Sequence, residues 1–176
     1  RRLHGWRRGV WPGVYRPSNA MPDNGRMFTK DRLMHVLVLH NAIDETATAA
    51  DSDVLVQVEV VADALRLGGC TVELLPVSLN LDELRGALSS SRPDVAVNLV
   101  ESLAGHDRLA PLAPALLDVL GYPYTGSPAS ALFSLCDKVK AKERLRWAGL
   151  PTPAWHIASD GRVEKPGCVS HSAAAR

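Results

Sequence analysis

The chain of 176 residues is 46% hydrophobic and 22% charged, with a formal net charge of +1. That balance is globular and can fill a core, and the length allows one ordinary domain, or one domain plus part of another. The small net charge hides an asymmetry: up to Leu33, eight Lys/Arg stand against Asp23 and Asp31, whereas from Met34 onward twelve basic residues face seventeen acidic ones.

Residues 1–33 are rich in Gly, Pro and Trp and show no helical or strand periodicity. They read as a basic, disordered extension, with Met34 a candidate natural start. Basic charge with Trp6 and Trp11 suggests nucleic-acid binding, but no recognisable binding domain follows, so nucleic acid is not an expected partner. Arginines without an apolar stretch do not make a secretory leader, and no apolar run is long enough to span a membrane. The expected compartment is the cytoplasm. Cys70, Cys136 and Cys168 are odd in number and lack CxxC spacing, which argues against a disulfide framework or a zinc site and for buried thiols.

Val36 to Leu39 is a continuous apolar run, as in a strand buried on both faces. A polar loop from Asn41 to about Asp53 follows. Val54, Val58, Val61 and Leu65 then fall on one helical face, closed by Gly68-Gly69. Cys70 to Val77 reads as a second strand. Leu81 to Ser89 reads as a short helix capped by Asn80, and Asp94 to Val100 as a third strand. Strands alternating with helices predict right-handed βαβ units and a parallel sheet, with ligands gathering beyond the carboxyl ends of the strands. Those ends are His40-Asn41, Pro76 to Ser78, and Asn98 to Asp107. No GxGxxG follows the first strand and no GxxxxGK[ST] occurs, so a dinucleotide fold or P-loop has no motif behind it.

Leu109 to Leu120 is a predicted helix with Pro111 and Pro114 near its start, closed by Gly121. Tyr122 to Thr125 is extended. Ser127-Pro128 opens a short helix through Leu135. Asp137 caps a further helix to Trp147, which Gly149 and Pro151 end. Thr152 to Ile157 reads as the first strand of another module, and 159–176 as an unstructured, truncated tail. Lys138 stands out. A cation in the first turn of a helix opposes the macrodipole, and a phosphate docked nearby would account for it. Lys140, Lys142, Arg144 and Arg146 read as a solvated helix side.

The stretch NLVESLAGHDRLAPLAPALLDVLGYPYTGSPASALFSLCDKVKAKERLRWAGLPTPAW, Asn98 to Trp155, resembles the D-alanine–D-alanine ligase branch of the ATP-grasp superfamily. The shared parts are the Asn-Leu strand end, a glycine-containing loop, a PYTGS turn, an Asp-Lys and a GLPTP exit. A weaker resemblance reaches back to Met34. The resemblance implies a three-layer parallel α/β pre-ATP-grasp domain over 34–127. Over 128–158 it implies linker helices and the start of a truncated ATP-grasp central domain. It further implies an enzyme that uses ATP and Mg²⁺ to join a carboxylate to an amine through an acyl phosphate. The Lys of Asp-Lys would contact ATP phosphate, which maps to Lys138. The family's E-x-E-V-S acid, which holds a substrate amino group, maps to Asp51, with Asp53 its neighbour. The family's H-G-x-x-G-E-D-G loop corresponds to Glu101 to Arg108. Gly105 and Asp107 match, whereas Glu101 replaces the histidine and Arg108 the last glycine. Glu101 is thus a candidate substrate contact, and the expected partner is a small amino acid or carboxylate other than strictly D-alanine. A homodimer is left open. Later phosphate, adenine and metal residues of the family have no counterpart here, so this portion alone is expected to be inactive. The competing reading is a non-catalytic α/β binding or interaction domain, a decayed relative of such a ligase.

Overall fold

The run after Met34 becomes the central strand of a five-stranded sheet. The structure, a computed structural model, describes residues 13–19, 33–42, 49–157 and 163–164. In chain order the strands of this sheet are β1 (Val14–Tyr15), β2 (His35–Asn41), β3 (Thr71–Val77), β4 (Val95–Leu99) and β5 (Tyr124–Thr125). Their spatial order is β1-β5-β4-β2-β3; all neighbours are parallel except β1, which runs antiparallel to β5.

Strand alternation divides the apolar residues between two cores. Leu37 and Leu39 join Leu84, Leu88, Ala113 and Leu117 on one face; Val36 and Val38 join Val58 on the other. These partners come from α1 (Ala49–Leu67), α2 (Leu81–Ser91) and α3 (Leu112–Leu120). Helices therefore cover both sheet faces, giving the expected three layers. Each fully buried Leu or Val contributes about 1.5–3 kcal/mol relative to exposure.

Several boundaries differ from expectation. The helix expected from Val54 begins at Ala49, so Asp51 and Asp53 lie inside α1 rather than in a preceding loop. Two alanines at its start favour helix. Asn80 sits at the start of α2, but its side chain makes no cap; Nδ2 donates to Glu83 Oε1 at 2.9 Å. The helix expected from Leu109 is first a 3₁₀ turn (Asp107–Leu109) and then α3, since Pro111 and Pro114 have no N–H to give an earlier turn. Gly121, at φ +75°, ends α3 as expected; the N–H groups of Tyr122 and Gly121 return to the carbonyls of Leu117 and Asp118. Cys70 and Cys136 form no disulfide and are half-buried rather than fully buried; Cys168 lies outside the described residues.

Two stretches expected to be irregular form strand. Val14 pairs with Thr125 and Tyr15 with Tyr124, and the two tyrosine rings lie 5.1 Å apart. Asn19 Nδ2 donates to the Val119 carbonyl at 3.2 Å. Within the basic arm, a two-residue ladder is too short to leave a periodicity, yet Val and Tyr suit an open sheet edge. Farther on, β7 (Val163–Glu164), inside the stretch read as an unstructured tail, pairs antiparallel with β6 (His156–Ile157), at the end of the expected strand. The rest of residues 1–33 and 159–176 lies outside the described residues.

The chain divides into two compact units between Leu132 and Phe133, later than the boundary expected after residue 127. The break falls within α4 (Ala129–Leu135). The second unit also holds α5 (Lys138–Trp147), β6 and β7. No helix among the described residues is long and apolar enough to cross a membrane.

Candidate functional site

In the first unit the candidate residues lie at the carboxyl edge of the sheet. The chain leaves β2 through α1 to β3 on one side, while β4 lies on the other, so the winding reverses between β2 and β4. Open α/β sheets bind ligands at such a switch point. Here it is bridged by one side chain. Asn41 Oδ1 accepts from the N–H of Glu101 at 2.9 Å and of Ser102 at 3.2 Å, and Nδ2 donates to Ser102 Oγ at 3.1 Å.

The residues around this bridge are themselves fixed. His40, 7% exposed, donates from Nδ1 to the Asn41 carbonyl at 3.0 Å; a carbonyl only accepts, so the proton resides on Nδ1. The Ala42 N–H donates to the Val77 carbonyl, joining the end of β2 to β3. Asn98 N–H donates to Thr125 Oγ1, and Asn98 Oδ1 accepts from the Val100 N–H. Beyond Glu101 the chain turns between Leu103 and His106, which exchange both backbone hydrogen bonds. Its two central residues, Ala104 and Gly105, have φ of +49° and +73°, the left-handed pair of a type I′ turn. Gly105 suits that conformation and Ala104 is strained in it.

Glu101 is exposed and directly follows this clamped strand end. Asp51 lies in the first turn of α1, which must start at the carboxyl edge to cross back over the sheet. Both candidate substrate residues thus map to one edge; the side chain of Asp51 lies outside the described residues, and Asp53 is exposed. Sequence reasoning marked His40-Asn41 only as a strand end. The available signal was an Asn closing an apolar strand, but its partners are 60 and 61 positions away.

In the second unit, Lys138 opens α5 and is exposed. Asp137 caps the helix as expected: Oδ1 accepts from the N–H groups of Val139 at 2.9 Å and Lys140 at 3.2 Å. These hydrogen bonds, that of Lys140 foremost, hold the Asp137 carboxyl below its ordinary value, and Lys140 Nζ lies 3.7 Å from Oδ2. Two of the N–H groups that a helix start would offer a phosphate, those of Val139 and Lys140, are therefore already engaged. The Lys138 ammonium has no ion-pair partner among the described residues and is available to an anion. ATP thus finds one fitting group here. Mg²⁺ finds none, because no group of three or more His, Cys, Asp or Glu among the described residues could hold a metal.

On the basic side of α5, Lys140, Arg144 and Arg146 are exposed as expected and Lys142 is half-buried. The Arg146 guanidinium lies 4.2 Å and Lys142 Nζ 5.2 Å from the centre of the Trp155 ring. Lys142 also donates to Thr152 Oγ1 and the Pro153 carbonyl. These two cations hold the GLPTP exit against the helix.

No family model matches the chain. Curated relatives do. The D-alanine–D-alanine ligase of Moorella thermoacetica is 37% identical over 97 residues, 53% of this chain and 30% of the relative. That of Erythrobacter litoralis is 30% identical over 127 residues, 72% of this chain and 36% of the relative. Among solved structures, the D-alanine–D-alanine ligase of Bacillus anthracis complexed with ATP superposes with a TM-score of 0.52. It is 23% identical and covers 71% of this chain and 38% of that one, which establishes a shared fold. The chain is homologous to the N-terminal portion of D-alanine–D-alanine ligases and spans roughly a third of their length.

Proposed function

We propose that the chain is the N-terminal portion of an ATP-dependent carboxylate–amine ligase, acting in the cytoplasm. The observation that carries this reading is the homology itself, which covers 53% of the chain in one relative and 72% in the other. In the proposed reaction a carboxylate oxygen attacks the γ-phosphorus of ATP, and ADP leaves. An amine nitrogen then attacks the acyl carbon, phosphate leaves, and an amide remains. Glu101 and Asp51 would hold the amino group of a small amino acid, and Lys138 would neutralise charge on a phosphate.

The test is a chimera in which residues 34–157 replace the corresponding portion of a D-alanine–D-alanine ligase. Amino-acid-dependent ADP release is the expected result, across a panel of small amino acids. Lys138→Ala should reduce it at least tenfold, while Arg144→Ala, on the exposed side of α5, should leave it within twofold. A folded chimera that releases no ADP with any of them would reject the proposal. Lys142 is unsuitable as the control because it anchors the exit. A second reading is an α/β domain that binds without catalysis, favoured by the two N–H groups of the α5 start that Asp137 already engages. That reading predicts amino-acid binding by the chain and no turnover by the chimera.

A further inference from the structure

We infer that Asn41 is a positioning residue for the amino-group site: it sets the backbone after β4 so that Glu101 presents its carboxylate to a ligand ammonium. This rests on the proposed role of Glu101 and goes beyond it in naming the device that holds Glu101 in place. The residue has three bonds across the switch point, two accepted from successive N–H groups and one donated to a hydroxyl. A carboxamide supplies both roles from one short side chain; an apolar residue supplies neither.

The support runs two tiers deep. Asn41 could not fix Glu101 if its own backbone were loose. The buried His40 imidazole grips the Asn41 carbonyl, and Ala42 is tied to Val77 on β3. On the far side, the turn at Leu103–His106 closes on itself within five residues of Glu101. Glu101 is therefore held from before and after, while its side chain stays exposed. A carboxylate at the end of a clamped backbone loses little freedom when it binds, and that is how preorganisation raises affinity. The bland alternative is that Asn41 only closes the sheet end. The two differ in what happens to a ligand.

The experiment uses the whole chain, with D-alanine as probe and propionate, which lacks the ammonium, as control. Binding is followed by amide chemical shifts, and the exchange protection of the Glu101 and Ser102 amides is read in the same spectra. Asn41→Leu should remove that protection and weaken D-alanine binding at least tenfold. Glu101→Gln should weaken it similarly, and the double variant no further than either alone. Asn41→Asp retains the acceptor oxygen and should rescue binding to within threefold. Propionate should respond to none of these changes. If Asn41→Leu loses amide protection but binds D-alanine as the wild type does, Asn41 is structural only and the inference fails. If Asn41→Leu does not fold, Asn41→Asp and the Asn41→Asp/Glu101→Gln pair decide: tenfold weakening in Asn41→Asp overturns the inference. A wild-type chain that ignores D-alanine and every other small amino acid of the panel at saturating concentration defeats the amino-group reading itself, a different failure from the previous ones.

Discussion

The Tyr124 hydroxyl donates to Asp118 Oδ1 at 2.8 Å and accepts from the Ala129 N–H at 3.2 Å, so one fully buried atom ties the end of α3 to β5 and the start of α4. Tyr124→Phe keeps the ring but leaves a buried N–H and a carboxylate without that partner. It should cost about 1–3 kcal/mol in a denaturant melt. Burial, aided by the hydrogen bond to Asp118, pushes the phenol above its ordinary value of 10.0. A raised folded value means that its stabilisation is complete below pH 10.0 and is lost as pH rises beyond it. Melting temperature should therefore fall above that pH, less steeply in Tyr124→Phe. Ala104 is the converse case. Its left-handed backbone should be relieved by Ala104→Asn, raising stability by about 0.5–1 kcal/mol in the same assay. The sequence marks Gly105 because glycine advertises its conformation; Ala104 looks ordinary and inherits the conformation from its neighbour's turn. Asn41 was illegible for another reason, because its partners come from a distant part of the chain.

Among elements, those with long apolar faces were read well and those settled by a few contacts were not. Val54, Val58, Val61 and Leu65 do form the inner side of α1, because burial at a helical period leaves its trace in the sequence. Asp137 was equally readable, since a cap needs only its next three residues. Removing it with Asp137→Ala should fray α5, seen as lost exchange protection at Val139 and Lys140. Acid should do the same to the wild type: the depressed carboxyl contributes above its ordinary value of 3.8, and that contribution disappears as pH falls through the lower folded value. The contacts of Lys142 and Arg146 with Trp155 were not legible, because an aromatic partner beyond the helix end cannot be deduced from helical spacing. Trp155→Ala should release the exit segment, observed as increased mobility of residues 150–155 with α5 itself intact.

At the scale of the whole molecule, the α/β class and the parallel sheet followed from the alternation of segments, and the homology followed from a motif set. The edge strand β1 followed from neither. It lies in an arm whose charge and composition argue for disorder, yet it covers β5 and places Tyr15 against Tyr124. Deleting residues 1–19 should speed amide exchange at Tyr124 and Thr125 and lower the melting temperature; unchanged exchange would mean that β1 contributes nothing to the sheet. This pairing also imposes an order of events during synthesis. Val14 leaves the ribosome early, but Thr125, its partner, follows about 110 residues later. At about 5–20 residues per second the segment waits several seconds or more. The first of the described strands is thus the last to dock in this sheet, and a nascent chain halted before Thr125 carries it with nothing to pair against.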